Sequence, residues 1–118
     1  MINIYYLDDE PELCEVFTDF FESKSVKITT FTDPKVALEA VKNQPPQMMF
    51  LDYRLPYTNG DLVALQMDES IPKYLITGDI FVSTKYKFNK ILSKPYKNDE
   101  ILSIIQTFEL TGKALKVG

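Results

Sequence analysis

Apolar residues along the chain form two kinds of segment that alternate. Short apolar runs with little polar interruption are typical of strands buried on both faces of a sheet, and they lie at residues 2–7, 26–31, 47–52, 74–76 and 91–93. Segments with apolar residues at helical spacing lie between and after them, at about 11–23, 33–43, 61–67 and 98–108. This alternation predicts an α/β domain whose parallel sheet is covered by helices on both faces through right-handed crossovers.

Local residues indicate where the helices begin. Pro11 lies in the first turn of a helix, and Asp33 precedes a second first-turn proline and can cap that helix. Asn98 is expected to cap the last helix. Between the fourth and fifth strands, segment 80–88 is weakly patterned and is expected to hold one or two helical turns, which would make the fourth helix short.

A chain of 118 residues has room for one domain with a real core. We expect a flavodoxin-like, doubly wound five-stranded sheet in the order 2-1-3-4-5, in which the first and third strands are neighbours at the switch point. The domain is expected to span residues 1–118, with 111–118 as a loose tail. Phe17, Phe20 and Phe21 on the first helix are expected to belong to the core.

Composition narrows the chemistry that the chain can carry. It has no histidine and only one cysteine, Cys14, which excludes imidazole catalysis, a histidine-ligated zinc site and an internal disulfide. The net charge of −4 argues against direct binding of nucleic acid, which requires a basic surface. No apolar stretch approaches the length of a membrane span, and we expect a cytoplasmic protein without membrane contact.

Polar side chains follow four of the predicted strands. Because the carboxyl ends of parallel strands meet at one edge of a sheet, these side chains should converge there: Asp8 and Asp9 after the first strand, Asp52 after the third, Thr77 after the fourth and Lys94 after the fifth. Taken alone, Asp52 is equally well explained as a carboxylate that begins a turn. The convergence favours a chemical role instead.

Three neighbouring carboxylates repel one another unless a cation neutralises them, and oxygen ligands of this kind suit Mg²⁺. A carboxylate beside such an ion can act as a nucleophile toward phosphorus and form an aspartyl phosphate. Lys94 would neutralise the transferred group, and the Thr77 hydroxyl could hydrogen-bond to one of its oxygens. Gly78 would leave room beside that oxygen.

The residues at the strand ends resemble those of the response-regulator receiver domain of two-component signalling. The matching features run in order through the chain: the pair Asp8-Asp9, Asp52 followed by Leu55-Pro56 and Gly60, Thr77-Gly78, and Lys94-Pro95-Tyr96. The resemblance extends from Ile2 to about Phe108. Each motif is weak by itself, but their occurrence together in the same order is specific.

The resemblance implies a role for each residue. Asp52 would accept a phosphoryl group from a histidine kinase or a histidine phosphotransfer protein. The resemblance also implies that Mg²⁺ is bound directly by Asp9, by Asp8 mostly through water, by Asp52 and by the backbone carbonyl of Arg54. Thr77 and Lys94 would contact the phosphoryl group, and the Lys94–Pro95 peptide would be cis.

Two features depart from the family pattern. The switch position three residues before Lys94 is Ile91, where the family has an aromatic residue. Tyr86 or Phe88 could substitute, but the simpler interpretation is that Ile91 is a core residue. The second departure is the shortened fourth helix, which alters the usual output and dimer surface.

Arg54 and Asp79 lie two residues beyond Asp52 and Thr77, at positions that flank the phosphoryl site in the family. They could pair across the entrance and modulate the phosphoryl lifetime. We favour the alternative that they are two solvated surface charges.

The sequence therefore predicts a phosphoryl-accepting signalling switch, expected to be a stand-alone receiver and not a turnover enzyme. The implied partners are a histidine kinase or phosphotransfer protein and a downstream protein target, with a homodimer as a further option. The alternative is a receiver-like protein-interaction module that works without phosphorylation. A phosphohydrolase is disfavoured, because Arg54 occupies the position where such enzymes need a second acid/base carboxylate.

Overall fold

The computed structural model describes residues 1–80 and 82–114. The seven strands found there are β1 Ile2–Leu7, β2 Val26–Phe31, β3 Met48–Asp52, β4 Arg54–Leu55, β5 Thr58–Asn59, β6 Lys73–Thr77 and β7 Lys90–Ser93. The four helices in the same residues are α1 Pro11–Phe21, α2 Pro34–Asn43, α3 Gly60–Ala64 and α4 Asn98–Thr111. The third helix is thus shorter than the predicted 61–67, and turns replace its second half.

The five long strands form one parallel sheet in the order β2-β1-β3-β6-β7. Counted among themselves, these strands have the order 2-1-3-4-5, so the prediction of a flavodoxin-like, doubly wound fold is confirmed. Strands β1 and β3 are neighbours, with Leu7 opposite Leu51. The short strands β4 and β5 pair separately as an antiparallel hairpin directly after β3.

The sheet separates two apolar clusters, because successive side chains of a strand point to opposite faces. One cluster joins alternate residues of the central strands to α1 and α4, and the other joins the intervening residues to α2 and α3. All five residues of β3 are buried, as the uninterrupted apolar run predicts.

The aromatic residues of α1 do not all belong to the core. Phe17 and Phe21, one helical turn apart, are buried, whereas Phe20 is 59% exposed. The expectation for Phe20 is therefore wrong, because that residue lies at the margin of the apolar stripe and only approaches Phe21 from outside. Cys14 is buried on the same helix.

Side chains fix the beginning of two helices. The Asp33 carboxylate accepts a hydrogen bond from the Lys35 N–H at 2.9 Å and caps α2, as predicted. The prediction that Asn98 caps α4 is wrong, because Asn98 is already helical and Lys97 is the cap residue. The Glu100 carboxylate accepts a hydrogen bond from the Lys97 N–H at 3.1 Å and satisfies the backbone at this end.

The predicted helical turns between β6 and β7 are absent from the described residues 82–89. From 82 to 88 the side chains are alternately half-buried and exposed. A repeat of two residues is the periodicity of an extended chain. Buried groups hold the segment in this form: the Asp61 carboxylate accepts from the Lys85 N–H at 2.8 Å, and the Lys73 ammonium donates to the Tyr86 hydroxyl at 3.0 Å. The first of these bonds satisfies the Lys85 N–H, a backbone group that a helix would have satisfied within itself.

The C-terminal helix ends at Thr111, and Gly112 has a φ of 66° in the left-handed region, where glycine is favoured. The loose tail predicted for 111–118 lies partly outside the described residues, which end at 114.

Candidate functional site

The carboxyl edge of the sheet brings three acids together. Asp52 is the last residue of β3, and Asp8 and Asp9 follow β1 directly. One carboxylate oxygen from each of the three lies within 4.8 Å of the others. Asp8 is fully buried and Asp52 is 7% exposed, whereas Asp9 is open to solvent. These three residues, called the acidic cluster below, therefore combine two buried carboxylates with one exposed carboxylate.

Lys94, directly after β7, contacts two of the acids. Its Nζ lies 3.0 Å from Asp52 Oδ1 and 3.6 Å from Asp8 Oδ2. Burial by itself would lower the pKa of Lys94, but the hydrogen bond to Asp52 and the charge of Asp8 raise it above its ordinary value. The ammonium thus stays charged and faces the acids.

At Asp52, the effect of burial on the pKa outweighs the effect of the hydrogen bond. Burial raises the pKa of its carboxyl group, and the charge of Asp8 acts in the same direction, against the lowering effect of the Lys94 hydrogen bond. The single ammonium group therefore does not fully offset the burial of Asp52 together with the charge of the neighbouring acids. An additional cation would do so.

The Asp8 carboxylate is held by its own partners. The Tyr6 hydroxyl donates to Oδ2 at 2.9 Å, and the Glu10 N–H donates to Oδ1 at 3.0 Å. Burial raises the pKa of Tyr6, and the adjacent Asp8 charge adds to this, so the hydroxyl remains a donor. Sequence reasoning missed Tyr6, although its position two residues before Asp8 places both on one side of β1.

Gly60 allows the chain to pass close behind Asp52. A Cβ atom at this position would lie 2.2 Å from the Asp52 carbonyl oxygen, closer than any real contact. The Gly60 N–H donates to the Tyr53 carbonyl at 2.7 Å and closes the hairpin turn after β3. The glycine behind the acid is thus required by space.

Thr77 ends β6 and is 3% exposed. Its hydroxyl oxygen accepts a hydrogen bond from the Asp79 N–H at 3.0 Å. The next residue, Gly78, has open surroundings, since a Cβ atom there would only reach Lys94 Cβ at 3.9 Å. Gly78 is therefore not crowded by its neighbours.

Arg54 and Asp79 form an ion pair at the surface, so the two solvated charges expected there are in contact with each other. Arg54 donates from Nε to Asp79 Oδ1 at 3.3 Å and from its terminal amino group to Oδ2 at 2.9 Å. This two-point geometry suits a planar guanidinium group. The pair joins the loops after β3 and β6, and sequence spacing alone could not show that these loops approach.

Ile91, at the switch position, does not have the burial that was expected for it. Ile91 is 45% exposed and is not a core residue, because it lies on edge strand β7 on the face away from buried Leu92. Tyr86 packs against Phe88 and bonds to Lys73 at the first residue of β6, the opposite end of the strand from Thr77. Neither ring stands in for an aromatic residue at position 91. The Lys94–Pro95 peptide is cis.

The donor set fits a hard divalent cation. Asp8, Asp9 and Asp52 supply only oxygen atoms, within 4.8 Å of one another, and oxygen-only ligands are what Mg²⁺ prefers. Arg54 begins hairpin strand β4, two residues after Asp52, which keeps its backbone near this edge of the sheet.

Curated relatives resemble most of the chain. The DNA-binding response regulator MtrA of Mycolicibacterium smegmatis is 26% identical over 110 residues, which cover 87% of this chain and 48% of that protein. The transcriptional regulatory protein CssR of Bacillus subtilis is 27% identical over 111 residues, which cover 87% of this chain and 49% of that protein. The chain thus spans about half the length of these relatives, and its expected stand-alone character stays a prediction.

Solved structures share the fold. The receiver domain of the sensor histidine kinase PA1611 from Pseudomonas aeruginosa, with a magnesium ion coordinated in its active-site cleft, superposes with a TM-score of 0.79 at 21% identity, over 90% of this chain and 95% of that one. The response regulator TrrA from Thermotoga maritima, in complex with Mg²⁺ and BeF, gives a TM-score of 0.81 at 19% identity, over 91% of this chain and 98% of that one.

No helix among the described residues has both the length and the apolar character needed to cross a membrane. The sheet order, the acidic edge and the lysine beside it are accompanied by a match to the family model of the response regulator receiver domain over residues 4–106. The chain therefore belongs to the response regulator receiver domain family of two-component signalling.

Proposed function

We propose that this chain is a phosphoryl-accepting signalling switch in which Asp52 is the acceptor. The observation that carries the proposal is the contact of 3.0 Å between the Lys94 ammonium and Asp52, beside two further carboxylates. A lysine in this position can neutralise charge on a group attached to Asp52, and it is already held there before any group arrives.

Mg²⁺ bound by Asp8, Asp9, Asp52 and the Arg54 carbonyl would screen the acids and neutralise charge on the incoming phosphoryl group. The phosphoryl transfer itself involves Asp52 and the donor. An Asp52 carboxylate oxygen attacks the phosphorus atom, a new P–O bond forms, and the bond from phosphorus to the donor breaks. The donor is a phosphohistidine or an acyl phosphate, and its imidazole or carboxylate leaves with the bonding electrons. Water later attacks the phosphorus, the bond between phosphorus and the Asp52 oxygen breaks, and inorganic phosphate and the free Asp52 carboxylate are released.

Thr77 supports a conformational response. Its hydroxyl oxygen accepts from the Asp79 N–H, so its own hydrogen is the group that would donate to a phosphoryl oxygen. A phosphoryl group on Asp52 would draw Thr77 toward it and displace the loop that begins at Gly78. Phosphorylation would thereby shift an equilibrium between two conformations of this loop.

The experiment is incubation with Mg²⁺ and a small acyl phosphate, followed by intact-protein mass spectrometry. Wild type is expected to gain one phosphoryl group, and Asp52→Asn is expected to gain none. Asp19→Asn, which changes an exposed acid on α1, is the matched control and should be labelled like wild type. Equal labelling of Asp52→Asn, or no labelling of wild type, would refute the proposal.

The proposed donors are a histidine kinase or a histidine phosphotransfer protein, and the proposed output is binding of a downstream protein or of a second copy of the chain. We keep the cytoplasmic location as part of the proposal. A receiver-like docking module that works without phosphorylation is the second candidate, favoured by the exposure of Ile91 and by the extended segment 82–89. Amide chemical shifts that do not respond to Mg²⁺ and beryllofluoride would support that alternative.

A further inference from the structure

The carboxylate of Asp8 is buried and is oriented by a small number of contacts. The residue has no exposed surface, and its two oxygens receive the Tyr6 hydroxyl and the Glu10 N–H. Lys94 approaches the same carboxylate at 3.6 Å but lies closer to Asp52, at 3.0 Å. Among the described residues, Tyr6 is thus the nearest side-chain partner of Asp8, and its hydrogen bond defines where Oδ2 points.

The Tyr6 hydroxyl is itself held in place. Tyr6 is 1% exposed on central strand β1, and its ring stacks on Phe17 of α1 with centroids 4.1 Å apart and an interplanar angle of 15°. A ring packed in this way between a sheet and a helix has little freedom to rotate away. The hydroxyl is therefore a fixed donor.

We propose that Tyr6 is a positioning residue for the metal site, because its hydroxyl holds the Asp8 carboxylate in the orientation that faces Asp9 and Asp52. The inference rests on the proposed function and extends it to a residue outside the acidic cluster. Hydrogen-bond partners of ligating carboxylates fix ligand orientation, and their loss weakens metal binding by about 10–100-fold in general. Tyr6 does not touch the ion or the phosphoryl group in this proposal; it acts only through Asp8.

The adjacent residue supplies a matched control. The Tyr5 hydroxyl donates to the Gln44 carbonyl at 2.7 Å, on the opposite face of the sheet, and Tyr5 is 8% exposed. Tyr5→Phe and Tyr6→Phe therefore remove the same group from neighbouring positions of one strand. Both should lower the unfolding midpoint comparably, but only Tyr6→Phe changes a contact of the acidic cluster.

The test is a titration of each variant with Mg²⁺ alone, in which the amide chemical shifts report binding. We expect the dissociation constant of Tyr6→Phe to rise by about tenfold relative to wild type and that of Tyr5→Phe to stay unchanged. Tyr6→Met, which also lacks the hydroxyl, should show the same rise and replaces Tyr6→Phe if that variant does not fold. In an Asp8→Ala background, Tyr6→Phe should have no further effect, since the residue through which it acts is gone.

An unchanged or tighter dissociation constant in Tyr6→Phe would overturn the inference, as would an equal rise in Tyr5→Phe. If wild type binds Mg²⁺ and is phosphorylated on Asp52 while Tyr6→Phe binds equally well, only the inference about Tyr6 fails. If wild type itself shows no response to Mg²⁺, the proposed function fails and the inference fails with it.

Discussion

Arg54 and Asp79 are joined by two hydrogen bonds of 2.9 and 3.3 Å, and this pair links the loop after Asp52 to the loop after Thr77. The guanidinium side chain is 74% exposed, so water competes with the pair. Its position between two loops that flank the proposed phosphoryl site is therefore more informative than its strength.

We expect the pair to slow the approach of water to phosphorylated Asp52. Arg54→Ala should accelerate loss of the phosphoryl group severalfold at most, because the pair is exposed and opens readily. The measurement is the decay of the phosphorylated mass after the donor is removed. Asp79→Ala should have the same effect, and the double variant should add nothing, since both changes break one interaction. An unchanged lifetime in both single variants would exclude the gating role.

Gly60 and Gly78 allow a comparison of two glycines close to the site. Gly60→Ala would place a Cβ atom 2.2 Å from the Asp52 carbonyl oxygen, and we expect it to lower the free energy of unfolding by about 1–3 kcal/mol or more through overpacking. At Gly78 the nearest atom to an added Cβ is 3.9 Å away, an ordinary contact. Gly78→Ala should therefore stay within about 0.5 kcal/mol of wild type in urea denaturation, as surface substitutions generally do. Equal stability of the two variants would contradict the close approach behind Asp52.

Tyr86 is expected to hold the segment between β6 and β7 against the sheet. Its hydroxyl accepts from the buried Lys73 ammonium, which also donates to the Asp68 and Ile71 carbonyls. Tyr86→Phe should lower the free energy of unfolding by about 1.5–3 kcal/mol, the usual range for a hydrogen bond to a charged group. It should also shift the amide resonances of residues 82–89.

Tyr57 provides the control for that substitution, because its side chain is fully exposed. Tyr57→Phe should leave both the unfolding midpoint and the resonances of segment 82–89 unchanged. If Tyr86→Phe behaves in the same way, Lys73 is satisfied without the tyrosine and the segment is held by other contacts.

The stability of the protein should depend on pH through Asp52. Burial raises the pKa of this carboxyl group, so the folded protein holds its proton more tightly than the unfolded chain does. The stabilising contribution is present below the unfolded value and is lost as the pH rises through the folded pKa. Asp52→Asn cannot ionise and should be more stable than wild type at neutral pH, with the difference vanishing below the ordinary carboxyl pKa of 3.8.

Thermal unfolding from neutral to acidic pH, in buffer without divalent ions, measures this dependence. Asp19→Asn, an exposed acid on α1, should follow wild type throughout. A stability difference between Asp52→Asn and wild type that does not change with pH would show that packing, and not ionisation, separates them.

Sequence reasoning located the acidic edge because a parallel sheet gathers the carboxyl ends of its strands at one side. Asp8, Asp52 and Lys94 could be placed together from strand order alone, and the structure places them in contact. Tyr6 escaped notice because it stands in an apolar run, where an aromatic residue is expected for packing. Its hydroxyl contact depends on the pleat of the strand and on a ring in another element.

Contacts between loops could not be predicted from the sequence either. The pairing of Arg54 with Asp79 depends on how two turns bend toward each other, and no periodicity encodes this. Lys73 lies outside the predicted strand 74–76 because a charged residue interrupts the apolar pattern, yet it is fully buried at the beginning of β6. Carbonyl oxygens from the preceding turn and one tyrosine compensate for its desolvation, and these groups are not adjacent in sequence.

Strand β3 is covered on both faces and has a hydrogen-bonded strand on either side. Displacing it would break two ladders and open both apolar clusters at once, which makes it one of the least deformable parts of the molecule. Asp52 at its end is therefore a stationary reference point. Any rearrangement caused by a group attached there would therefore occur in the loops around it. Partners that distinguish the two forms of the protein would contact those loops and not the sheet.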